Sequence, residues 1–466
     1  MFAPLNDLET HAAERPDAVA IVSPTLRYTF AELAVAVDAT AIRLRAEGVA
    51  PRQVVALDLP AALEWIIDLA LMRLATRSVS VRGVSATGGL PLDVLVTSPG
   101  GRGAHAPGVL EVDERWIAGA VAAASGAAPL VDYPRPDSIF RLLLTSGTTG
   151  TPRAAAYSVA ALEHRRLGLD HYWTDERPEL DFMPLSTTGG FHTAIAALRH
   201  GQAFRAVDHI NERTLRFAAS EGVRVLAGSP AQLAAALTVL TEHDIALPAL
   251  EEVRLAGATP SVALLRLIDT RLGVPVRSIY GSTEAGGVTM RMVRPDDDLA
   301  NVGPALPSIE LQVVDGAVRY RGPGMLSGYL VGGVVQPFAG GWFEPGDLGS
   351  LDEHGALILG GRASDVLNIG GVKVNPARID DLAAEFAGVR DAAAFTLDRG
   401  TGRAELGLAV VADPDCDLAA LDRMLRQQLR VGYPTTYWRV AEVPRNRMGK
   451  VERGAVAAAY ARTLPG

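Results

Sequence analysis

Between Leu142 and Arg153 the chain reads LLLTSGTTGTPR. Three leucines run into Thr145, Ser146, Gly147, Thr148, Thr149 and Gly150. An apolar run that ends in a Gly/Ser/Thr cluster reads as a buried strand opening into a loop. Glycines let a backbone approach a ligand closely, and successive N–H groups form an anion-binding concavity. The hydroxyls of Thr145, Ser146, Thr148 and Thr149 add neutral donors. Arg153 adds a fixed charge whose planar fork matches phosphate oxygens. A polar surface turn is the competing reading, and the density of hydroxyls and glycines weighs against it. It is not a Walker loop, because no Gly-Lys-Ser/Thr follows at the required spacing.

Three more stretches have residue types suited to chemistry. Ser278-Ile279-Tyr280-Gly281-Ser282-Thr283-Glu284 ends an apolar run on an aromatic, a glycine, two hydroxyls and a carboxylate. Tyr280 has a face to stack on a purine, and Glu284 has the charge to hold magnesium among phosphate oxygens. A strand-to-helix turn, with Glu284 in the first helical turn, accounts for the same residues. Asp347, between Gly346 and Gly349, suits a bidentate grip on two ribose hydroxyls or the acid of a plain β-turn. Pro444 to Arg453, PRNRMGKVER, is either a solvated basic tail or a segment that delivers Lys450. A compact cation between an attacking carboxylate and a phosphate offsets their mutual repulsion.

In this order the stretches resemble the motifs of the adenylate-forming superfamily: acyl-CoA synthetases, aryl-acid ligases, luciferase-like enzymes and adenylation domains of peptide synthetases. A weaker match at Pro16-Asp17, Tyr28-Thr29 and Glu32-Leu33 extends the resemblance over nearly the full length. It implies that Thr145 to Gly150 and Arg153 hold phosphates. Gly257, Ala258 and Thr259 would line adenine and substrate, together with Ser278, Tyr280, Gly281, Ser282 and Thr283. Asp347 would bind ribose with help from Arg362, and Glu284 would hold the metal. Lys450 would bridge carboxylate and α-phosphate, so Lys450, Glu284 and Thr148 are the implied catalytic residues. The acid would sit near Met183 to His192, against Thr187, Thr188, Phe191, His192, Ala258 and Gly281. His192 reads equally well as a structural residue facing inward from a helix. Gly370-Gly371 resembles the loop that enters for a second half-reaction, or is a Gly-rich turn between strands.

The implied activity is ATP- and Mg2+-dependent activation of a carboxylic acid as acyl-AMP, then transfer to the thiol of CoA or of a carrier protein's phosphopantetheine. Transfer to an amine and a non-catalytic nucleotide-binding protein are the alternatives. α-Amino-acid relatives have a carboxylate near Thr188 to pair the substrate amine. Its absence argues against an ordinary amino acid, since a buried ammonium would lack its partner, and favours an aryl or short acyl acid. Three positions depart from the family: Arg153 replaces the usual Lys, Ser364 stands where the hinge has Asp or Lys, and Arg378 replaces an acid.

These residues need elements to place them. A length of 466 residues exceeds one ordinary core, and 48% hydrophobic residues exclude global disorder. A net charge of −9 argues against nucleic acid as partner. The opening residues show no signal pattern, no apolar run is long enough for a bilayer, and Cys416 is the one cysteine. Cytoplasmic residence without membrane association is the expectation; oligomeric state stays open.

Strand-like and helix-like stretches alternate early on. Examples are a Thr29–Glu32 capping box before a helix closed by Gly48, Val54 to Leu59 as strand and Ala61 to Leu74 as helix. Such alternation favours a largely parallel sheet, with ligands at its strands' carboxyl ends. Ser158 is expected to cap the helix that follows the phosphate loop. After Gly303-Pro304 short β-rich pieces read as antiparallel sheet or barrel. Gly360 to Ser364 then looks like a joint. The expected fold is α/β: a large N-terminal domain, 1–363, of layered sheets with a small β-barrel-like subdomain, and a small mobile α+β domain, 364–466.

Overall fold

The computed structural model describes residues 2–82, 87, 89–101, 106–124, 135–145, 152–168, 177–363, 367–369, 372–397, 405–429, 432–445 and 451–463. An eight-stranded sheet lies at the centre. One half is parallel: Gly108–Glu111, Val94–Thr97, Val54–Asp58, Arg77–Ser80 and Ile139–Thr145 follow one another across it. Runs such as Val54-Val55-Ala56-Leu57 are buried throughout rather than alternating, as expected for parallel strands covered on both faces. The other half is antiparallel: Arg153–Ser158, Gly328–Val331 and Val334–Gln336. Thr145 and Arg153 face each other where the first antiparallel pair closes, so both flanks of the phosphate-loop motif sit on one sheet.

The helix Ala61–Arg73 packs into the same core, where Trp65 meets Phe191 at 6.1 Å between ring centroids. The helix Phe30–Ala46 begins with the expected capping box of Thr29 and Glu32. The Ser158 hydroxyl accepts from the Ala161 amide at 3.2 Å and caps the helix Val159–Gly168.

A second sheet runs Glu179–Asp181, Val225–Gly228, Glu252–Ala256 and Val276–Ser282 in parallel, then adds Gly286–Val293 antiparallel. The helices Pro230–Glu242 and Val262–Leu272 bury Leu233, Leu237, Leu265 and Ile268 against it. The carboxyl end of Val276–Ser282 turns into a strand, so Glu284 lies in a hairpin rather than in a first helical turn. A third sheet is wholly antiparallel, in the order Asn301–Pro304, Ala356–Arg362, Asp347–Leu351, Ala317–Arg321, Glu310–Val314. Its buried Val318, Tyr320 and Leu357 share a core with Ala285 and Val288 of the Glu284 hairpin. The second and third sheets therefore meet at that hairpin.

Toward the C-terminus Val389–Leu397, Glu405–Ala412 and Thr436–Arg439 form a three-stranded sheet. The side-chain period of two divides it cleanly. Ala392 and Ala394 join a core with Ile379, Leu421 and Leu425, whereas Ala393, Phe395 and Leu397 join one with Val443 and Val456. The helices Pro376–Ala384 and Leu418–Leu429 thus cover one face and Arg453–Ala461 the other. Among the described residues no helix is long and apolar enough to cross a membrane.

Candidate active site

Asp347 opens its strand directly opposite Arg362 in the antiparallel ladder. The Arg362 Nε lies 3.1 Å from Oδ1, and the Tyr280 hydroxyl donates to Oδ2 at 2.7 Å. Asp347 is 9% exposed. Burial first, then Tyr320 and the Asp347 carboxylate, push the Tyr280 pKa far up, so its hydroxyl remains a donor. Three residues singled out from separate stretches of sequence meet here in one cluster. Each carboxylate oxygen keeps a second lone-pair site, so the Asp347 acceptor is still available to a diol.

Glu284 is held from several sides. Its carbonyl accepts from the Arg165 Nη2 at 3.2 Å and from the Leu326 amide at 2.8 Å. The Thr188 hydroxyl donates to the Thr283 carbonyl at 2.9 Å, and the Ser282 hydroxyl accepts from the Ala285 amide at 3.2 Å. Across the hairpin, a Cβ on Gly281 would lie 1.8 Å from the Gly286 carbonyl oxygen. The missing side chain thus serves a backbone approach within the protein. Glu284 is 5% exposed, and its Oε1 accepts from the Tyr329 hydroxyl at 2.5 Å. Among the described residues no group of three or more His, Cys, Asp and Glu could hold a metal by itself. A single carboxylate still fits magnesium, which is commonly bound through one or two carboxylates plus phosphate oxygens and water.

Thr187 caps the helix Thr188–Arg199: its hydroxyl accepts from the Gly190 amide at 3.2 Å and donates to the Pro184 carbonyl at 2.8 Å. Phe191 is fully buried among Trp65, Phe140 and Tyr157, with the Arg141 guanidinium 4.3 Å from its ring centroid. His192 is 7% exposed, and its Nε2 sits 2.9 Å from the Tyr157 hydroxyl and 3.2 Å from the Arg165 Nη1. Arg165 can only donate, so Nε2 is an acceptor and the proton sits on Nδ1. Burial first, then the charges of Arg165 and Arg141, hold the His192 pKa well below its usual value. The structure therefore turns Phe191 and His192 inward. Gly257, Ala258 and Thr259 follow the carboxyl end of Glu252–Ala256, with Gly257 and Thr259 exposed. Ser278 is half-buried along Val276–Ser282, and Arg378 is exposed.

Ser146, Gly147, Thr148, Thr149, Gly150, Ser364, Gly370, Gly371 and Lys450 lie outside the described residues. The flanks of the lysine stretch are described: Arg445 and Val451 form an antiparallel bridge. Arg445 donates to Asp391 at 2.7 Å, and Arg453 donates to Asp380 at 2.6 Å.

Two further residues escape sequence reasoning. Tyr329 lies in a short strand outside the stretches singled out from the sequence. Arg141 sits among the leucines ahead of the phosphate loop and is fully buried. It donates to Asp68, and to the Leu185 carbonyl at 2.6 Å, so it ties the strand before that loop to the segment expected to face the acid. A charged residue inside an apolar run is the one available signal for it.

Residues 8–82 and 101–331 match the family model described as AMP-binding enzyme. The chain is 28% identical to a Mycobacterium tuberculosis CoA ligase for a methyl-dioxo-octahydroindenyl propanoic acid, over 96% of this chain and 98% of that one. It is 26% identical to the 4-chlorobenzoate–CoA ligase of Arthrobacter sp, over 95% of this chain and 92% of that one. ATP-bound MatB from Rhodopseudomonas palustris shares the fold with a TM-score of 0.81 at 23% identity, covering 98% of this chain and 99% of that chain. The matched segments carry both flanks of the phosphate-loop motif and the Glu284 hairpin, and the chain belongs to the AMP-binding enzyme family.

Proposed function

We propose that the protein activates a small aryl or short acyl acid with ATP and passes the acyl group to a thiol, that of CoA or of a carrier protein's pantetheine. The observation that carries this reading is the cluster of Tyr280, Asp347 and Arg362 beside the Glu284 hairpin. In the first step a carboxylate oxygen of the acid attacks the α-phosphorus of ATP. The bond to the leaving pyrophosphate breaks, leaving acyl-AMP. In the second, a thiolate attacks the acyl carbon and AMP departs.

Each residue has a role in this scheme. Asp347 accepts from the ribose hydroxyls, and Arg362 and Tyr280 keep its carboxylate oriented. Residues 145–150 and Arg153 hold the phosphates, and Lys450 offsets the repulsion between carboxylate and α-phosphate. Glu284 would hold magnesium, which when bound would supply charge neutralisation for the pyrophosphate leaving group. Residues 1–363 form the nucleotide-binding body. Residues 364–466 form a mobile unit that turns at Ser364, presenting Lys450 for the first step and Gly370-Gly371 for the second. The one cysteine and an acidic chain fit residence in the cytoplasm.

Thr188 supports the choice of acid. Amino-acid-activating relatives need a carboxylate near that position, and here its hydroxyl is committed to the Thr283 carbonyl. The test is carboxylate-dependent ATP–pyrophosphate exchange across aryl, acyl and α-amino acids. Exchange with aryl or short acyl acids, followed by a thioester mass when CoA or a carrier protein is added, is the expected result. Exchange confined to α-amino acids, or none with any acid, would refute the reading.

A further inference from the structure

The Glu284 carboxylate has a partner from a different sheet. Tyr329 lies on Gly328–Val331, which pairs with Arg153–Ser158 in the eight-stranded sheet, whereas Glu284 belongs to the hairpin of the second sheet. The Tyr329 ring is fixed on two sides. The Arg153 guanidinium covers it 4.1 Å from its centroid, and Phe338 meets it edge-on at 5.6 Å and 84°. Its hydroxyl reaches Glu284 Oε1 at 2.5 Å, in the range of hydrogen bonds to an ionised acceptor. Oε2 has no partner among the described residues.

We propose that Tyr329 is a positioning residue for a metal-binding carboxylate. Its hydroxyl anchors Glu284 through Oε1 and turns Oε2 toward a divalent cation, while its ring carries the position of Arg153 to that carboxylate. The inference rests on the role given to Glu284 above. The terminal torsion of a glutamate is broad and roughly two-fold, so an unanchored carboxylate spreads its charge over many orientations. A donor on one oxygen removes that freedom. Arg153 adds a second consequence. Its planar guanidinium suits the face of a ring better than an ammonium does, so the residue that ends the phosphate-loop motif and the metal carboxylate are set by one tyrosine.

The experiment uses the full chain with ATP and Mn2+, a spectroscopic substitute for Mg2+, and reads free Mn2+ by electron paramagnetic resonance. Tyr329→Phe deletes one oxygen and keeps the ring. It should weaken Mn2+ binding in the presence of ATP by roughly 10-fold or more, the usual cost of losing an outer-shell partner. The Mg2+ half-saturation of ATP–pyrophosphate exchange should rise by the same factor, with kcat recovering at high Mg2+. In a Glu284→Gln background the second change should add nothing. If Glu284→Gln weakens Mn2+ binding and Tyr329→Phe does not, or if the two effects add, the positioning role is overturned while the metal role of Glu284 stands. If neither variant alters Mn2+ binding, both fall. A variant with a lowered unfolding temperature is measured below its transition.

Discussion

At the scale of single residues, the site depends on polar groups whose partners come from other stretches of the chain. Asp347 would be an ordinary turn acid without Tyr280 and Arg362. Thr187 and Thr188 could have faced a substrate, yet their hydroxyls hold a helix cap and the neighbouring hairpin. His192 is the clearest case of a residue kept neutral by its surroundings. Its folded pKa lies below the usual value, through burial and the charges of Arg165 and Arg141. In the unfolded chain the same imidazole takes up a proton near pH 6.5. Below that pH the unfolded state binds more protons than the folded one, so His192 makes stability fall as pH drops. The slope approaches about 1.4 kcal/mol per pH unit. Denaturant unfolding of His192→Gln and wild type, measured from pH 7.5 down to about 5, should show the smaller acid loss in the variant. Parallel curves would mean that His192 is protonated in the folded state.

At the scale of elements, the hairpin from Val276–Ser282 into Gly286–Val293 is the piece most exposed to a single substitution. The Cβ in Gly281→Ala would meet the Gly286 carbonyl oxygen at 1.8 Å, and its nearest neighbours are all backbone, with no flexible group to give way. The strands must separate, and Glu284 moves with them. The variant should lose about 3 kcal/mol of stability, the upper end of the usual cost of overpacking. Exchange activity should fall by more than that loss explains, because the Thr188 and Arg165 bonds to the turn are geometric. A variant with normal activity and stability would show that the hairpin relaxes at little cost.

Legibility of the other elements followed the same physics. The helix Ala61–Arg73 is readable from its apolar content. The strand Arg153–Ser158 is not, because three alanines carry little strand preference and pairing with Ile139–Thr145 decides the outcome. Glu114–Ala123 was hidden in a Gly- and Ala-rich stretch, although Asp113 caps it. Ala3–Glu14 carries no strong helical signal in the sequence, yet it buries Leu5 and Leu8 completely. Candidate site residues that belong to a motif stand out one by one in the sequence. Tyr329 and Arg141 do not, since their importance arises from contacts between distant strands.

At the scale of the whole molecule, the cores sort the chain in two. The buried residues of the C-terminal cores run from Val374 to Val456, and those of the remaining cores from Phe2 to Leu357. At the junction the Asn375 side chain donates to the Gly360 carbonyl at 2.7 Å. The cluster around Asp347 draws wholly on the first group, whereas Lys450 falls by sequence within the span of the second. Binding and chemistry should therefore separate under mutation. Lys450→Ala removes a charge proposed to act on the transition state, and interactions stronger there than in the ground state change rate more than binding. ATP affinity, measured by calorimetry, should stay within a few-fold of wild type, whereas adenylation should fall by roughly 100-fold or more, as for a lost transition-state donor. Glu284→Gln should give the reverse bias, with a raised Mg2+ requirement. Equal losses of ATP affinity in both variants would place the lysine in ground-state nucleotide binding and remove the reason for a mobile C-terminal unit.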